Sequence, residues 1–301
     1  MNFVIIGAGG YIAERHFKSI KNTKNKLIAA CDINDSVGLL DRYFPECKFF
    51  KNLSSLQKFI IEFKEKIDFF VVCTPNHLHY KHIKFGLENK INVICEKPTV
   101  LFPNQIFKLK NLELKYKKKV YTILQLRLQK ELIDFKKYFL NKKLIHKKGN
   151  FKLKYITSRG NWYFKSWKGN IAKSGGIVTN IGIHLFDMLI WIVGKPTSFN
   201  IYHATETRVR GKLNFKNISV DWFLSIDRND LPSMNKKNKI NFFRQLSFNN
   251  KEIEFSNYFD DLHDKSYKKI FKNEGYLLQE TYESIKLCHS IKKMIKYKND
   301  T

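Results

Sequence analysis

Phe3-Val4-Ile5-Ile6-Gly7-Ala8-Gly9-Gly10-Tyr11-Ile12-Ala13 is the stretch that decides the fold. Its first four residues are apolar and mostly β-branched, the composition of a buried strand. Three glycines follow, and Glu14 to Lys21 then reads as a helix. Strand, glycine turn and helix in that order build a nucleotide site: small residues permit the tight turn, and N–H groups at the helix start face a pyrophosphate. Two counts fit the glycines. Gly7-x-Gly9-x-x places Ile12 at the third small position, whereas Gly7-x-x-Gly10-x-x-Ala13 puts a small residue at each turn. The second count matches better, with Gly9 as a permissive neighbour. Gly7, Gly9, Gly10, Tyr11 and Ile12 are the expected dinucleotide contacts of this turn.

Working outward, Leu27 to Cys31 is a second strand, and it ends in Asp32. A carboxylate about 20 residues past the glycines is placed to accept hydrogen bonds from the adenosine ribose, which favours NAD over the 2′-phosphorylated cofactor. The plainer role, a turn or helix cap, is open to Asp35 and Ser36 as well. Ile67 to Cys73 is a third strand, followed by Thr74-Pro75-Asn76, a turn expected over the dinucleotide together with His79. His79 and His82 are three apart and share a helix face, but neither a carboxylate nor a cysteine stands near to complete a ligand set. No metal is therefore expected, and His77, His79 and His82 read as helix-start and packing residues. Next comes Asn92-Val93-Ile94-Cys95-Glu96-Lys97-Pro98, a short apolar strand that Pro98 stops. Lys97 is thereby set at the carboxyl end of a strand, the edge where open α/β sheets bind ligands. It is the candidate catalytic group, weighed against the ordinary fate of one lysine among 55 Lys+Arg, which is a solvated surface. Glu96 and Gln125 complete the expected cofactor contacts, Gln125 from the last strand over Tyr121 to Arg127.

The length of 301 residues suggests two domains, divided here as 1–125 and 126–301, and 43% hydrophobic residues suffice for two cores. The formal net charge of +28 favours anionic partners, yet the lysines are scattered and no nucleic-acid recognition motif accompanies them. Five cysteines, without a Cys-x-x-Cys pair, point to a reducing compartment. Met1 to Gly7 lacks a basic leader, and the sequence holds no apolar run of about 18 residues, so a cytoplasmic protein that does not enter a membrane is expected.

From about residue 128 the pattern changes. Gly149 to Thr157 and Leu213 to Ile226 alternate as antiparallel strands with one wet face, and Asn235 to Asn241 reads as a solvated loop. Ser158 to Gly169 is a loop dense in aromatic and cationic groups, suited equally to packing by its two tryptophans or to holding a ring and an anion. In Ser174 to Leu189, Asn180, His184 and Asp187 lie one turn apart and are expected on one helix face. The apolar spacing over about 277–297 predicts a terminal helix that packs back on the first domain.

The glycine turn with Glu14-Arg15-His16, then Cys31-Asp32, Cys73 to His82 and Cys95-Glu96-Lys97-Pro98, in this order, resemble the Gfo/Idh/MocA family of sugar dehydrogenases. The resemblance implies an α/β protein: a Rossmann domain followed by an α+β domain with an open, mostly antiparallel sheet. It implies that Lys97 is catalytic and that His184 faces the substrate beside it, the two forming the acid/base pair in which either is the base. It also implies that Asn180 orients sugar or nicotinamide; many relatives have Asp there, and an amide is no base. A narrower likeness runs through Tyr11-Ile12-Ala13, Ile123 to Arg127, Tyr155 to Tyr163, Lys165 to Gly169, Trp222 to Asp227 and Asp261 to Tyr267. These segments are similar to the WlbA-type UDP-N-acetylglucosaminuronate (UDP-GlcNAcA) 3-dehydrogenases of surface-polysaccharide and O-antigen biosynthesis. That likeness implies NAD as cofactor, Lys97, Arg159, Asn161, Trp162, Lys165, Asn180 and His184 at the substrate, 2-oxoglutarate as a recycling partner in some relatives, and a homotetramer or homodimer. Another sugar dehydrogenase of the family and a non-catalytic NAD-binding protein are the alternatives; the retained Lys97 and His184 weigh against the second.

Overall fold

A computed structural model describes residues 1–248, 251–256 and 261–295. The chain divides into two compact units, residues 1–125 with 260–282, and residues 126–259 with 283–301. The first unit holds a six-stranded sheet of β1 (Asn2–Ile6), β2 (Lys26–Cys31), β3 (Lys48–Phe50), β4 (Phe69–Val72), β5 (Asn92–Cys95) and β6 (Val120–Thr122). The order is β3-β2-β1-β4-β5-β6, and every pair is parallel. Parallel neighbours need crossovers, which the helices Ala13–Asn22, Leu53–Phe63, His79–Glu88 and Pro103–Tyr116 supply. Helices on both faces leave the strands no wet side, which is why β4 is buried throughout and reads as an unbroken apolar run. The order reverses between β1 and β4, and there a doubly wound sheet opens a crevice at the carboxyl ends of its strands.

Phe3 on β1 stacks on Phe69 of β4 at 5.2 Å, and Tyr267 covers Phe3 at 5.9 Å. Tyr267 belongs to the helix Leu262–Phe271, far along the chain. The late segment that returns to the first unit is thus 260–282, not the helix expected over 277–297. That helix runs Tyr282–Met294 and from Glu283 onward groups with the second unit, where Cys288 Sγ lies 3.4 Å from the carbonyl of Val178. The reason is the apolar supply: Tyr267 and Ile270 join the first unit's core cluster, whereas Cys288 buries against Val178 of the second unit. Residues 296 and 297 lie outside the described residues.

The second unit's sheet comprises β7 (Gly149–Thr157), β8 (Ser198–Ala204), β9 (Arg208–Asn214), β10 (Ile218–Ser225), β11 (Phe242–Phe248) and β12 (Lys251–Glu254), in the order β12-β11-β7-β10-β9-β8. Only the β7–β10 pair is parallel; the other four are antiparallel. Alternation along β7 buries Phe151, Leu153 and Tyr155 and leaves Asn150, Lys152 and Lys154 in water. Behind that buried face lies the helix Gly182–Val193, whose Phe186 meets Trp222 of β10 edge-on at 5.1 Å. The lysine and asparagine stretch expected as a loop holds a short helix, Ser233–Lys237. No single helix among the described residues is long and apolar enough to cross a membrane.

Phe151 is 0% exposed and is boxed by Phe248 at 4.3 Å, Phe139 at 5.7 Å and Phe135 at 5.9 Å. Phe151→Ala removes the centre of this cluster. It is expected to destabilise the protein by about 3–5 kcal/mol, measured as a lower midpoint in urea unfolding.

Candidate active site

The carboxyl ends of β2, β1, β4, β5 and β6 form one edge, and the first unit's expected site residues follow along it. Gly7 ends β1 with φ of +90°, and a Cβ there would stand 2.6 Å from the carbonyl carbon of Cys73 and 2.8 Å from the nitrogen of Thr74. Only glycine fits. The N–H groups of Gly7 and Ala8 both donate to the carbonyl of Cys31, at 2.8 and 3.1 Å, and Gly10 N–H closes the turn on the Gly7 carbonyl at 3.1 Å. The helix then starts at Ala13, whose N–H donates to the Gly10 carbonyl at 2.9 Å, while the Arg15 N–H donates to the Ile12 carbonyl at 3.1 Å. Gly9 has a definite job beyond permissiveness: its N–H donates to Asp32 Oδ2 at 2.9 Å, and a Cβ there would press on the carboxyl carbon at 3.2 Å. Asp32 Oδ1 accepts from the Asn34 N–H at 2.9 Å, so two backbone donors aim the carboxylate at the end of β2.

After β4, Thr74 and Pro75 lead into a turn at Asn76–Leu78, with Asn76 buried. His79 is 1% exposed and bridges two strand ends, Nδ1 lying 2.7 Å from the Pro98 carbonyl and Nε2 2.7 Å from the Thr74 carbonyl. It braces the edge from below. Burial lowers its pKa, against the pull of those two carbonyls. His82 Nδ1 meets the Thr74 hydroxyl at 3.0 Å, so these two histidines serve the turn. Beyond β5, Lys97 is half-buried, joined to Pro98 by a cis peptide. Glu96 turns its carboxylate into the unit's interior: Oε1 accepts from His16 Nε2 at 3.1 Å and from His263 Nε2 at 2.9 Å. Burial alone would raise the Glu96 pKa, but the two histidine contacts outweigh it and hold the carboxyl well below its usual range. After β6, Gln125 is buried, and its Oε1 has no hydrogen-bond partner among the described residues.

In the second unit the chain leaves β7 into the aromatic loop, where Arg159, Asn161, Trp162 and Lys165 are exposed. Lys168 stands over the rings of Trp167 at 4.9 Å and Trp162 at 5.3 Å, and burial together with the charge of Arg159 lowers its pKa. Between them Tyr163 is 1% exposed, and its hydroxyl accepts from Asn180 Nδ2 at 3.0 Å. Asn180, His184 and Asp187 do not share a helix face. Asn180 ends the helix Gly176–Asn180, the chain bends by 44°, and His184 and Asp187 lie on the helix Gly182–Val193. Gly182 at this bend packs under Leu224 and Phe186, so a side chain there would clash. Asp187 pairs with Arg127 through two bonds of 2.8 and 2.9 Å, both side chains buried. His184 is half-buried, its ring parallel to Tyr155 at 6.4 Å.

Two participants escaped the sequence reading. Tyr163 sat inside the aromatic loop without a distinguishing neighbour, and His263 lies 167 residues from the carboxylate it contacts. The motif Asp261 to Tyr267 drew attention, but only the fold shows that His263 and Tyr267 face His16 and Glu96.

The 3-2-1-4-5-6 sheet with its glycine turn and a carboxylate at the end of β2, continued by a mostly antiparallel second sheet, is the architecture of an NAD-dependent oxidoreductase. The chain belongs to the Gfo/Idh/MocA oxidoreductase family: residues 1–124 match the NAD-binding Rossmann domain and residues 148–268 the C-terminal alpha/beta domain. It is similar to the WlbA (WbpB) dehydrogenase of Thermus thermophilus, at 36% identity over 100% of this chain and 97% of that one, with a TM-score of 0.93. That enzyme has been crystallised with NAD and UDP-GlcNAcA, and with NAD and alpha-ketoglutarate. The chain is also 26% identical over 65% of its length to the D-glucoside 3-dehydrogenase of Escherichia coli, and 27% over 70% to the glucose-6-phosphate 3-dehydrogenase of Bacillus subtilis. These two matches take in 55% and 57% of the relatives' own lengths.

Burial lowers the His82 pKa to about 4, with the charges of His79, Lys81 and His77 adding to it. The unfolded chain takes up that proton near pH 6.5. Stability from neutral His82 is therefore complete above about 6.5 and is lost as pH falls toward 4. His82→Gln is expected to lose less Tm than the parent between pH 7 and 4.5; an equal loss in scanning calorimetry would remove His82 from the account.

Proposed function

We propose that the protein oxidises the 3-hydroxyl of UDP-2-acetamido-2-deoxy-D-glucuronate with NAD, as a cytoplasmic step toward a surface polysaccharide. The observation that carries this reading is the likeness to the Thermus enzyme over 100% of this chain and 97% of that one, at 36% identity. The names of the two curated relatives add support, since both are 3-dehydrogenases of glucose derivatives. Buried free cysteines suit the reducing compartment.

The first unit's residues fit NAD. Gly7 lets the turn lie directly against the end of β4, and Gly9, Gly10, Tyr11 and Ile12 present the turn and helix start to the pyrophosphate. Asp32 accepts from the ribose hydroxyls and repels a 2′-phosphate. Thr74, Pro75 and Asn76 flank the nicotinamide, and the unpartnered Gln125 Oε1 is an acceptor suited to its carboxamide. When bound, NAD supplies the hydride acceptor. Lys97 or His184 takes the proton from the sugar hydroxyl, and Asn180 orients the ring without titrating. Arg159 and Lys165 neutralise uronate and pyrophosphate, with Asn161 and Trp162 shaping the pocket wall. 2-Oxoglutarate acts as the second substrate that returns the cofactor to NAD. The outer face of the second sheet, where Tyr202 is 57% exposed and Lys154, Arg210 and Phe223 line one shallow depression, is the surface through which copies form a homodimer or homotetramer.

Mixing protein, NAD and UDP-GlcNAcA should raise the NADH absorbance band, and 2-oxoglutarate should reverse it. Lys97→Ala is expected to slow turnover by about 10²-fold or more, and His184→Ala by at least about tenfold. Full activity in both variants would remove the acid/base assignment. NAD binding without any absorbance change would reject the substrate. For the cofactor, Asp32→Ser should weaken NAD by roughly tenfold, about 1.4 kcal/mol, and narrow its advantage over NADP in a calorimetric titration.

A further inference from the structure

Glu96 stands one residue before Lys97, and its environment is unlike a solvent-exposed turn. It is 5% exposed, and the two histidines on its Oε1 are 0% exposed. They come from separate parts of the chain: His16 from the helix after the glycine turn, His263 from the helix Leu262–Phe271. The rings stand edge to face at 5.1 Å and 84°. Glu96 Oε2 accepts the backbone N–H of Lys97 at 3.3 Å.

The protons can be placed. An ionised carboxylate only accepts, so both Nε2 atoms carry hydrogen. Tyr267 O–H then donates to His16 Nδ1 at 2.8 Å, and His263 Nδ1, which has no partner among the described residues, keeps its lone pair. His16 is thereby bonded at both ring nitrogens, and the Glu96 carboxylate stands enclosed one residue before Lys97. Burying a carboxylate costs several kcal/mol even when donors surround it, and an apolar set of the same volume is often as stable or more so. A fold brace alone does not need the charge. The same three side chains also have the ligand types and spacing of a metal site, but the hydrogen-bond reading already uses every Nε2 and Oε1 at ordinary lengths.

We infer that Glu96, His16 and His263 are positioning residues for Lys97: the carboxylate, clamped from two sides by imidazole N–H groups and bonded to the Lys97 backbone, fixes the turn that presents the amine and keeps an anion behind it. This rests on the reading of Lys97 as an acid/base group. The late helix thereby acts on the reacting end of β5 through His263.

The test compares Glu96→Gln, His263→Leu and His263→Gln in the full chain. kcat and KM are measured with NAD and UDP-GlcNAcA. In parallel, acetylation of Lys97 by sulfosuccinimidyl acetate is followed by peptide mass spectrometry, with exposed Lys18 as reference. Glu96→Gln and His263→Leu should lower kcat about tenfold or more, leave the NAD KM within about twofold, and change Lys97 labelling relative to Lys18 about threefold or more. His263→Gln, whose amide still donates, should recover most of both. A lower Tm with kcat and Lys97 labelling at parental values would overturn the inference and leave a structural brace. Stoichiometric metal in the purified parent, lost in His263→Gln, would overturn it as well. If the parent shows no turnover while labelling still shifts, the substrate fails and the positioning role stands. Should Glu96→Gln not fold, the His263 pair decides.

Discussion

How closely the end of β1 approaches the end of β4 governs the first unit. With 2.6 Å between a hypothetical Gly7 Cβ and the Cys73 carbonyl carbon, any other residue would force the two central strands apart. The ladder Phe3↔Phe69 to Ile6↔Val72 depends on that closeness, and so does the stacking of Phe3 on Phe69. The same glycine begins the turn that swings Gly9 against Asp32. Sheet packing and the placing of Asp32 thus share a single steric condition: the two central strands and the carboxylate at the end of β2 are positioned by one bend of backbone.

The second unit is organised by two pairings. Arg127 and Asp187 meet through two parallel hydrogen bonds inside the core, where the planar guanidinium is matched to a carboxylate and each would be costly alone. Asn180 and Tyr163 join the glycine-led helices to the aromatic loop. The loop's cations then stand in a restricted place, Lys168 resting on two indole rings. Against a net charge of +28 spread over the chain, this local packing, and not the total, separates cations with a defined position from solvated ones.

Legibility in the sequence followed the range of the interaction. The strands, the glycine turn, Asp32 and the placing of Lys97 at a strand end depend on neighbours in sequence, and alternation along β7 is likewise local. The broken helix was not legible: Asn180, His184 and Asp187 have helical spacing, and the break between them falls just before Gly182, which packs under Leu224 of β10. The return of 260–282 to the first unit was hidden for a similar reason. Both late helices carry apolar stripes, and which stripe closes which core depends on the partner surfaces, such as the ring of Phe3 waiting for Tyr267. Glu96 looked like a cofactor neighbour because the motif places it beside Lys97, while its partners arrive from residues 16 and 263.

The late return of 260–282 has a consequence for synthesis on the ribosome. When residue 125 has been made, all six strands of the parallel sheet exist, but the helix that covers Phe3 and donates to Glu96 does not. At ordinary elongation rates, roughly 7–30 s pass before that helix is translated. During that interval the nascent first unit holds an incompletely paired carboxylate and an open aromatic face, and the whole second sheet is translated before its closing piece arrives. The unit that comes first in the sequence is therefore closed only after the second sheet has been translated, which makes the surroundings of Glu96 and Lys97 a late product of chain elongation.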